Sequence, residues 1–260
     1  MMKILKFVGV FLVLSILSIF VCTKTVNAST DNAWNFSIEP YLMITSIDGD
    51  AGVGRVTGAE VAVDFDDILE NLEAAFMVVL EAHHASGWGI ILDYGFMDLG
   101  ADISGPLGGI IDTNLRQGIL ELLAAKRFDL AYGYYEIIGG VRWWDNDVDV
   151  EVDTAVLPGT ATVSIDENWV DPLIGIRFTR RMKEKWKLVL RGDVGGFGAG
   201  SDFTASAAGG ILYSFNETIS LDVKYRALWV DFEDGTRGTP GYFAYDTVTH
   251  GPILGVKFEF

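Results

Sequence analysis

The stretch GVKFEF, residues 255–260, alternates small or apolar residues with Lys257 and Glu259. Successive side chains of a β-strand point to opposite faces, so this pattern predicts a strand. Leu254, Val256, Phe258 and Phe260 form one face, and Ile253, Gly255, Lys257 and Glu259 the other. A frayed end gains nothing from two phenylalanines, so something apolar has to cover the first face.

The opposite end of the chain narrows the choice. Lys3 and Lys6 precede the apolar run FVGVFLVLSILSIFV at 7–21, and VNA at 26–28 is a small-residue cleavage site. This is the pattern of a secretory signal peptide over 1–28. The run is too short for a spanning helix, which needs ~20 apolar residues. Val21 ahead of Cys22 argues against a lipoprotein signal. Loss of the segment takes Lys3, Lys6 and Lys24 with it and shifts the formal net charge from −17 to −20. Cys22 is the sole cysteine, so residues 29–260 have neither disulfide nor thiol chemistry. Such acidity excludes nucleic acid as a partner, because phosphate binding needs clustered Lys and Arg.

An exported chain rich in glycine and aromatic residues leaves a periplasmic β protein or a membrane barrel. A barrel strand in lipid needs ~9–11 residues with an apolar outward face, while its lumen face tolerates charge. Ten segments between Phe36 and Phe260 each have one parity free of charge. Examples are Trp88, Ile90, Leu92, Tyr94 and Phe96, then Tyr135, Ile137, Gly139, Val141 and Trp143, and then Leu221, Val223, Tyr225, Ala227 and Trp229. Aromatic residues gather at the segment ends: Phe36, Trp88, Phe178, Trp186, Phe215 and Phe260 at one rim, and Phe96, Trp143, Trp169 and Trp229 at the other. Such girdles mark the two interfaces of a membrane barrel, whereas a soluble sandwich buries its faces on itself.

Connections alternate between short (84–88, 126–133, 180–186, 215–218) and long (100–113, 145–168, 197–203, 231–248). Short turns belong to the periplasmic side and long loops to the outside. The expected fold is an antiparallel up-and-down transmembrane β-barrel of about ten strands, with eight and twelve left open. Residues 53–64 carry a further strand pattern, and DDILENL (66–72) reads as a short helix with Asp66 or Asp67 near its N-cap. An odd spanning strand would break closure, so 48–72 is read as the first outer loop, folded back as a cap or partial plug. Residues 145–168 are read as an extracellular hairpin.

With this pattern the chain resembles the β-barrel proteins of the Gram-negative outer membrane, in particular small porin-like barrels without an assigned activity. The signal peptide, the alternating segments and the closing GVKFEF carry the resemblance; WNFSIEPYLM at 34–43 adds the look of those small families. The resemblance implies an outer-membrane location, lipid as the partner of the apolar face, and a monomer. It also implies that the barrel assembly machinery reads Phe258 and Phe260 as an insertion signal.

The inward parity holds the chemistry. Glu39, Glu81, Asp93, Glu121 and Glu136 lie in the first half, and Arg142, Arg177, Arg191, Lys224, Arg226 and Lys257 in the second, mixed with Asp171, Asp193, Asp222 and Glu259. Closure sets these sectors across the bore from one another. Unpaired rows would make a transverse field in a narrow pore or binding barrel for small polar solutes. Paired rows would fill the bore and leave a structural or surface-interaction barrel. Barrels of about 8 strands only just hold their side chains, and aqueous channels belong to ~16–18 strands. A metal reading of DNDVDVEVD (145–153) fails the EF-hand template, with Val150 in place of Gly and Val156 in place of the bidentate Glu, so the acidic face is read as solvated, with weak divalent-cation binding at the cell surface as the minority reading. No metal or cofactor site is assigned. Catalysis has little support: His83 and His84 flank a turn, and His250 sits at the outer rim without a flagged serine. A lipid hydrolase or protease is the distant third reading, and the chain is read as a non-enzyme.

Overall fold

Hairpin follows hairpin along the chain, and the last strand returns to the first. The computed structural model describes residues 33–104, 110–153 and 160–260. The segment read as a signal peptide, Cys22 and the loop tips 105–109 and 154–159 lie outside the described residues. The elements are β1 (Trp34–Met43), β2 (Ser46–Val53), β3 (Val56–Val63), α1 (Phe65–Asn71), β4 (Leu72–His84), β5 (Trp88–Ser104), β6 (Ile110–Leu130), β7 (Gly133–Asp153), β8 (Thr160–Lys183), β9 (Trp186–Gly196), β10 (Phe203–Ser214), β11 (Ile219–Asp234) and β12 (Phe243–Glu259). β1 and β4 to β12 pair antiparallel in sequence order, and β12 pairs back on β1, closing a barrel of 10 strands. Closure joins the first and last strands and so leaves no free sheet edge there, in a medium that offers no water.

The closing seam joins Ser37 to Glu259 and Ile38 to Phe258. Phe36 and Phe260 exchange N–H···O bonds of 3.2 and 2.8 Å. Phe260 stands 61% exposed on the barrel exterior. Leu80, Ile90, Leu122, Ile137, Ile174, Leu190, Val223 and Leu254 are likewise exposed on the outer wall. A band of large apolar side chains around the perimeter is the surface a membrane barrel presents to lipid.

Short turns share one end of the barrel. At β4–β5, Gly87 takes φ 83° and its N–H donates to His84 O at 2.9 Å. A side chain there would sit 3.0 Å from Arg127 O, so glycine serves both the turn and the neighbouring strand. At β10–β11, Asn216 Oδ1 accepts from the N–H groups of Thr218 and Ile219 at 2.9 and 2.8 Å, the local bond that makes Asn a turn former.

At the other end the strands outrun the ~9–11 residues that lipid demands. β7 has 21 residues and β8 has 24, paired without a break from Gly133↔Arg180 to Asp153↔Thr160. Most of the expected outer loops at 100–113, 145–168 and 231–248 is therefore continued ladder. The physical reason is plain: above the bilayer a hairpin still satisfies its own backbone, and alternation persists there with polar residues outward.

The 48–72 segment is neither a spanning strand nor a free loop. β2 continues the line of β1 past a break at Ile44–Thr45 and follows the upper half of β12, from Ser46↔His250 to Val53↔Phe243. β3 folds back on β2 through a tight turn at Gly54–Arg55. α1 then leads into β4. Ile47, Ile68, Met97 and Leu99 form a buried cluster there, joined by Val61, Val63, Leu72 and Leu115.

Candidate functional site: a bore closed by paired charges

The inward wall brings the charged side chains of opposite sectors into contact. Near the short-turn end, Arg177 on β8 holds Glu81 on β4 at 2.6 Å and Glu136 on β7 at 2.7 Å. Arg127 adds a 2.9 Å contact to Glu136, and Lys257 and His83 reach Glu81 at 3.5 and 2.9 Å. On the β1–β11 side, Lys224 bridges Glu39 at 3.0 Å and Asp222 at 2.8 Å.

A denser layer lies further along the bore. Arg142 on β7 donates from Nη2 to Glu121 Oε1 and Asp193 Oδ1, both at 2.7 Å, and from Nη1 to Thr204 Oγ1 at 2.8 Å. Arg191 bonds the same two carboxylates at 2.7 and 2.9 Å. Arg226 on β11 reaches Glu121 at 2.8 Å and Asp93 at 3.2 Å, and Tyr41 Oη donates to Asp93 at 2.8 Å. This layer ties β1, β5, β6, β7, β9, β10 and β11 together. The Arg142 and Asp193 side chains are 0% exposed. Charges so deeply enclosed persist only when each is matched by a partner and by hydrogen bonds, as they are here.

Two cavities flank the layer. One, of about 110 Å³, lies toward the short-turn end among Glu39, Arg177, Val189 and Lys257. The other, of about 60 Å³, lies on the far side among Met43, Met77, Met97 and Leu228. Tyr41, Asp93 and Arg226 line both, so their contacts form the partition.

Beyond the charged layer the bore is packed with rings. Trp144, Trp169, Leu228, Val230, Phe232 and Phe243 form one buried cluster. Trp169 stacks on Phe232 with centroids 3.8 Å apart, and on Trp144 at 5.5 Å. Trp169 is thus an interior side chain and not part of the rim girdle; its odd number gives it the parity of Asp171. Asp171 lies beneath these rings, fully buried. It accepts from the indole N–H groups of Trp144 and Trp169 at 2.9 and 3.2 Å, from the Ser201 N–H at 2.7 Å, and from the Ser201 hydroxyl. The turn between β9 and β10 is thereby pinned into the bore.

Every residue assigned to the lumen on parity, from Glu39 to Arg226, lies in these inward networks. Sequence reasoning did not single out Tyr41, Thr204, Ser201 or the ring cluster. The available signal was the inward parity of Trp144, Trp169 and Phe232, which places aromatic residues where charges stood lower in the same strands.

His250 lies on the outer surface between β11 and β2. Its Nε2 pairs with Asp48 Oδ2 at 2.8 Å and its Nδ1 with Tyr225 Oη at 2.7 Å. Both nitrogens are engaged, and neither by a serine or threonine hydroxyl. Above the girdle the outer wall turns acidic. The bases of this end are Arg55, Arg116 and Arg237, against Asp48, Asp50, Asp145, Asp147, Asp166 and Asp231 among many acids. Burial, followed by repulsion from Asp147 and Asp166, raises the Asp145 carboxyl above its ordinary pKa. Burial and then Asp246, Asp202 and Glu233 do the same for Asp231.

No protein-family profile matches the chain, and no curated protein matches it in sequence. Among solved structures it is similar to the outer-membrane protease OmpT of Escherichia coli, with a TM-score of 0.57 at 10% identity over 91% of this chain and 100% of that one. It also matches the translocator domain of the autotransporter NalP of Neisseria meningitidis, with a TM-score of 0.49 at 12% identity over 90% of each chain. The attachment invasion locus protein Ail of Yersinia pestis aligns over 87% of this chain and 98% of its own, with a TM-score of 0.39 at 10% identity. At these identities the likeness is one of fold, and the fold is that of an outer-membrane β-barrel.

Proposed function

We propose that the chain is a non-conducting outer-membrane barrel whose bore is sealed by paired charges, and that its work is done by the strand extension it holds outside the cell. One observation carries the reading: Arg142, Arg177, Arg191, Lys224, Arg226 and Lys257 each hold a carboxylate inside the bore, and Arg226–Glu121 and Arg177–Glu81 reach across it. Rows of charge consumed by one another leave no field for a passing solute. The stacked rings, with Trp144 and Trp169 bonded to Asp171, make a second closure. This favours the surface-interaction reading over a pore for small polar solutes.

The extension suits a rigid interaction surface. β7 and β8 stay paired through Asp147↔Asp166 and Asp149↔Ser164, and β2–β3 is braced against β12. Its charge calls for a basic partner, since opposite potentials steer encounter and like ones suppress it. The barrel in nanodiscs should bind an immobilised Lys-rich peptide in a salt-sensitive way. A variant with 147–166 replaced by a two-residue turn should fold and bind markedly less. Equal binding by the trimmed barrel would remove the extension as the site.

A further inference from the structure

One line of the barrel wall is not stitched. β1 pairs with β4 from Trp34↔His84 to Pro40↔Val78, and there the ladder ends. Beyond it the chain keeps to β12, through Tyr41↔Gly255 to Met43↔Ile253 and then along β2, while the upper half of β4 keeps only β5, from Leu72↔Leu99 to Met77↔Gly95. The resulting gap lies between Tyr41–Thr45 and Leu72–Met77, with the Pro40–Val78 pair at its foot and α1 at its head. Its outer lips are Leu42, Ile44 and Phe76, all exposed. Phe76 neighbours Phe96 of the upper girdle in register, so the gap faces the leaflet nearer the long loops.

The smaller cavity lies behind this gap. Tyr41, Met43 and Thr45 come to it from one lip and Met77 from the other, and Gly95 and Met97 form its back wall. Met43 and Met77 have inward parity yet are only half-buried, which is the behaviour of side chains beside an opening. Methionine is flexible and polarizable and adapts to the shape of an apolar guest. Gly95 leaves the space open: a Cβ there would lie 3.9 Å from Tyr41 Oη and 4.0 Å from Met77 Cγ.

We infer that this cavity is a lateral binding site for a linear alkyl chain of a membrane lipid or fatty acid, which enters through the wall between β1 and β4. The chemistry follows from position and lining, since lipid tails are what the gap faces. Size selects the shape of the guest. The cavity holds about 60 Å³, well below the ~150 Å³ of an apolar cavity that takes up benzene, so it has room for the tip of one chain and not for a ring. The Tyr41–Asp93–Arg226 partition makes the site a dead end; a chain enters and leaves by the same gap. The inference is independent of the proposed role of the extension.

The test uses the folded full barrel in vesicles containing a fatty acid with a diazirine near its methyl end. Photolabelling should mark Met43, Met77 or Met97 as well as outward residues such as Leu190 and Leu254. Gly95→Leu fills the cavity, and its backbone φ places no demand for glycine; labelling of the methionine wall should be lost while outward labelling persists. Heat-modifiable migration checks that the variant is folded, and Met77→Trp fills the same space from the other lip if it is not. Labels confined to outward residues would overturn the inference. So would methionine-wall labelling that is unchanged in a folded, filled variant.

Discussion

Replacing Arg142 with methionine destabilises the folded barrel by about 3–5 kcal/mol, the range for deleting one partner of a buried ion pair. Two carboxylates, Glu121 and Asp193, lose a donor at 2.7 Å, and neither can turn to water. Arg191 still contacts both, which places the expected cost toward the lower end of the range. A second substitution, Asp193→Asn, should recover part of the loss by removing one of the stranded charges. Urea unfolding in lipid vesicles, followed by tryptophan fluorescence, reads both effects. A cost near zero for Arg142→Met would mean that the layer is hydrated and that the bore is not sealed there.

Leu190→Arg should impair the barrel far more than Val189→Arg, although the residues are adjacent. Leu190 is exposed on the outer wall between Trp186 and Val194, near mid-bilayer. A charge there costs about 2–4 kcal/mol. Val189 points inward and lines the larger cavity, where polar side chains already stand and the new guanidinium can find Glu39, Asp222 or Glu259. Folded fraction by heat-modifiable migration, and urea midpoints for what folds, compare the two. Equal effects would sink the assignment of faces on which the barrel rests.

The contrast between those neighbours also shows what was legible in the chain. Period-two alternation states which face meets lipid, because one uncharged parity per strand has no other use in so many segments. The placement of Glu39, Glu81, Asp93 and Glu121 opposite Arg177, Arg191, Lys224 and Arg226 follows from closure alone. Their pairing does not. Whether Arg226 meets Glu121 or faces water depends on bore width and strand tilt, which no local pattern encodes. Length of the strands was equally hidden, since Asp147 and Asp149 alternate with valines in the same way whether the hairpin is ladder or loop. Trp169 illustrates a further limit: a tryptophan near a strand end fits a girdle and a core equally well until parity is checked against Asp171. The fate of 48–72 was hidden in the same way: β1 leaves β4 after Pro40↔Val78 and β2 and β3 settle on β12, a change of partner that no local pattern marks.

Conductance of the folded barrel, residues 29–260, in a planar lipid bilayer tests the sealed bore most directly. The paired layers predict a silent membrane at ordinary voltages, with protein incorporation verified by recovery of the folded form. Discrete, reproducible current steps from the unsubstituted chain, shifted in size by neutralising Glu121 or Arg191, would contradict the account and return the lumen to the role of a narrow pore.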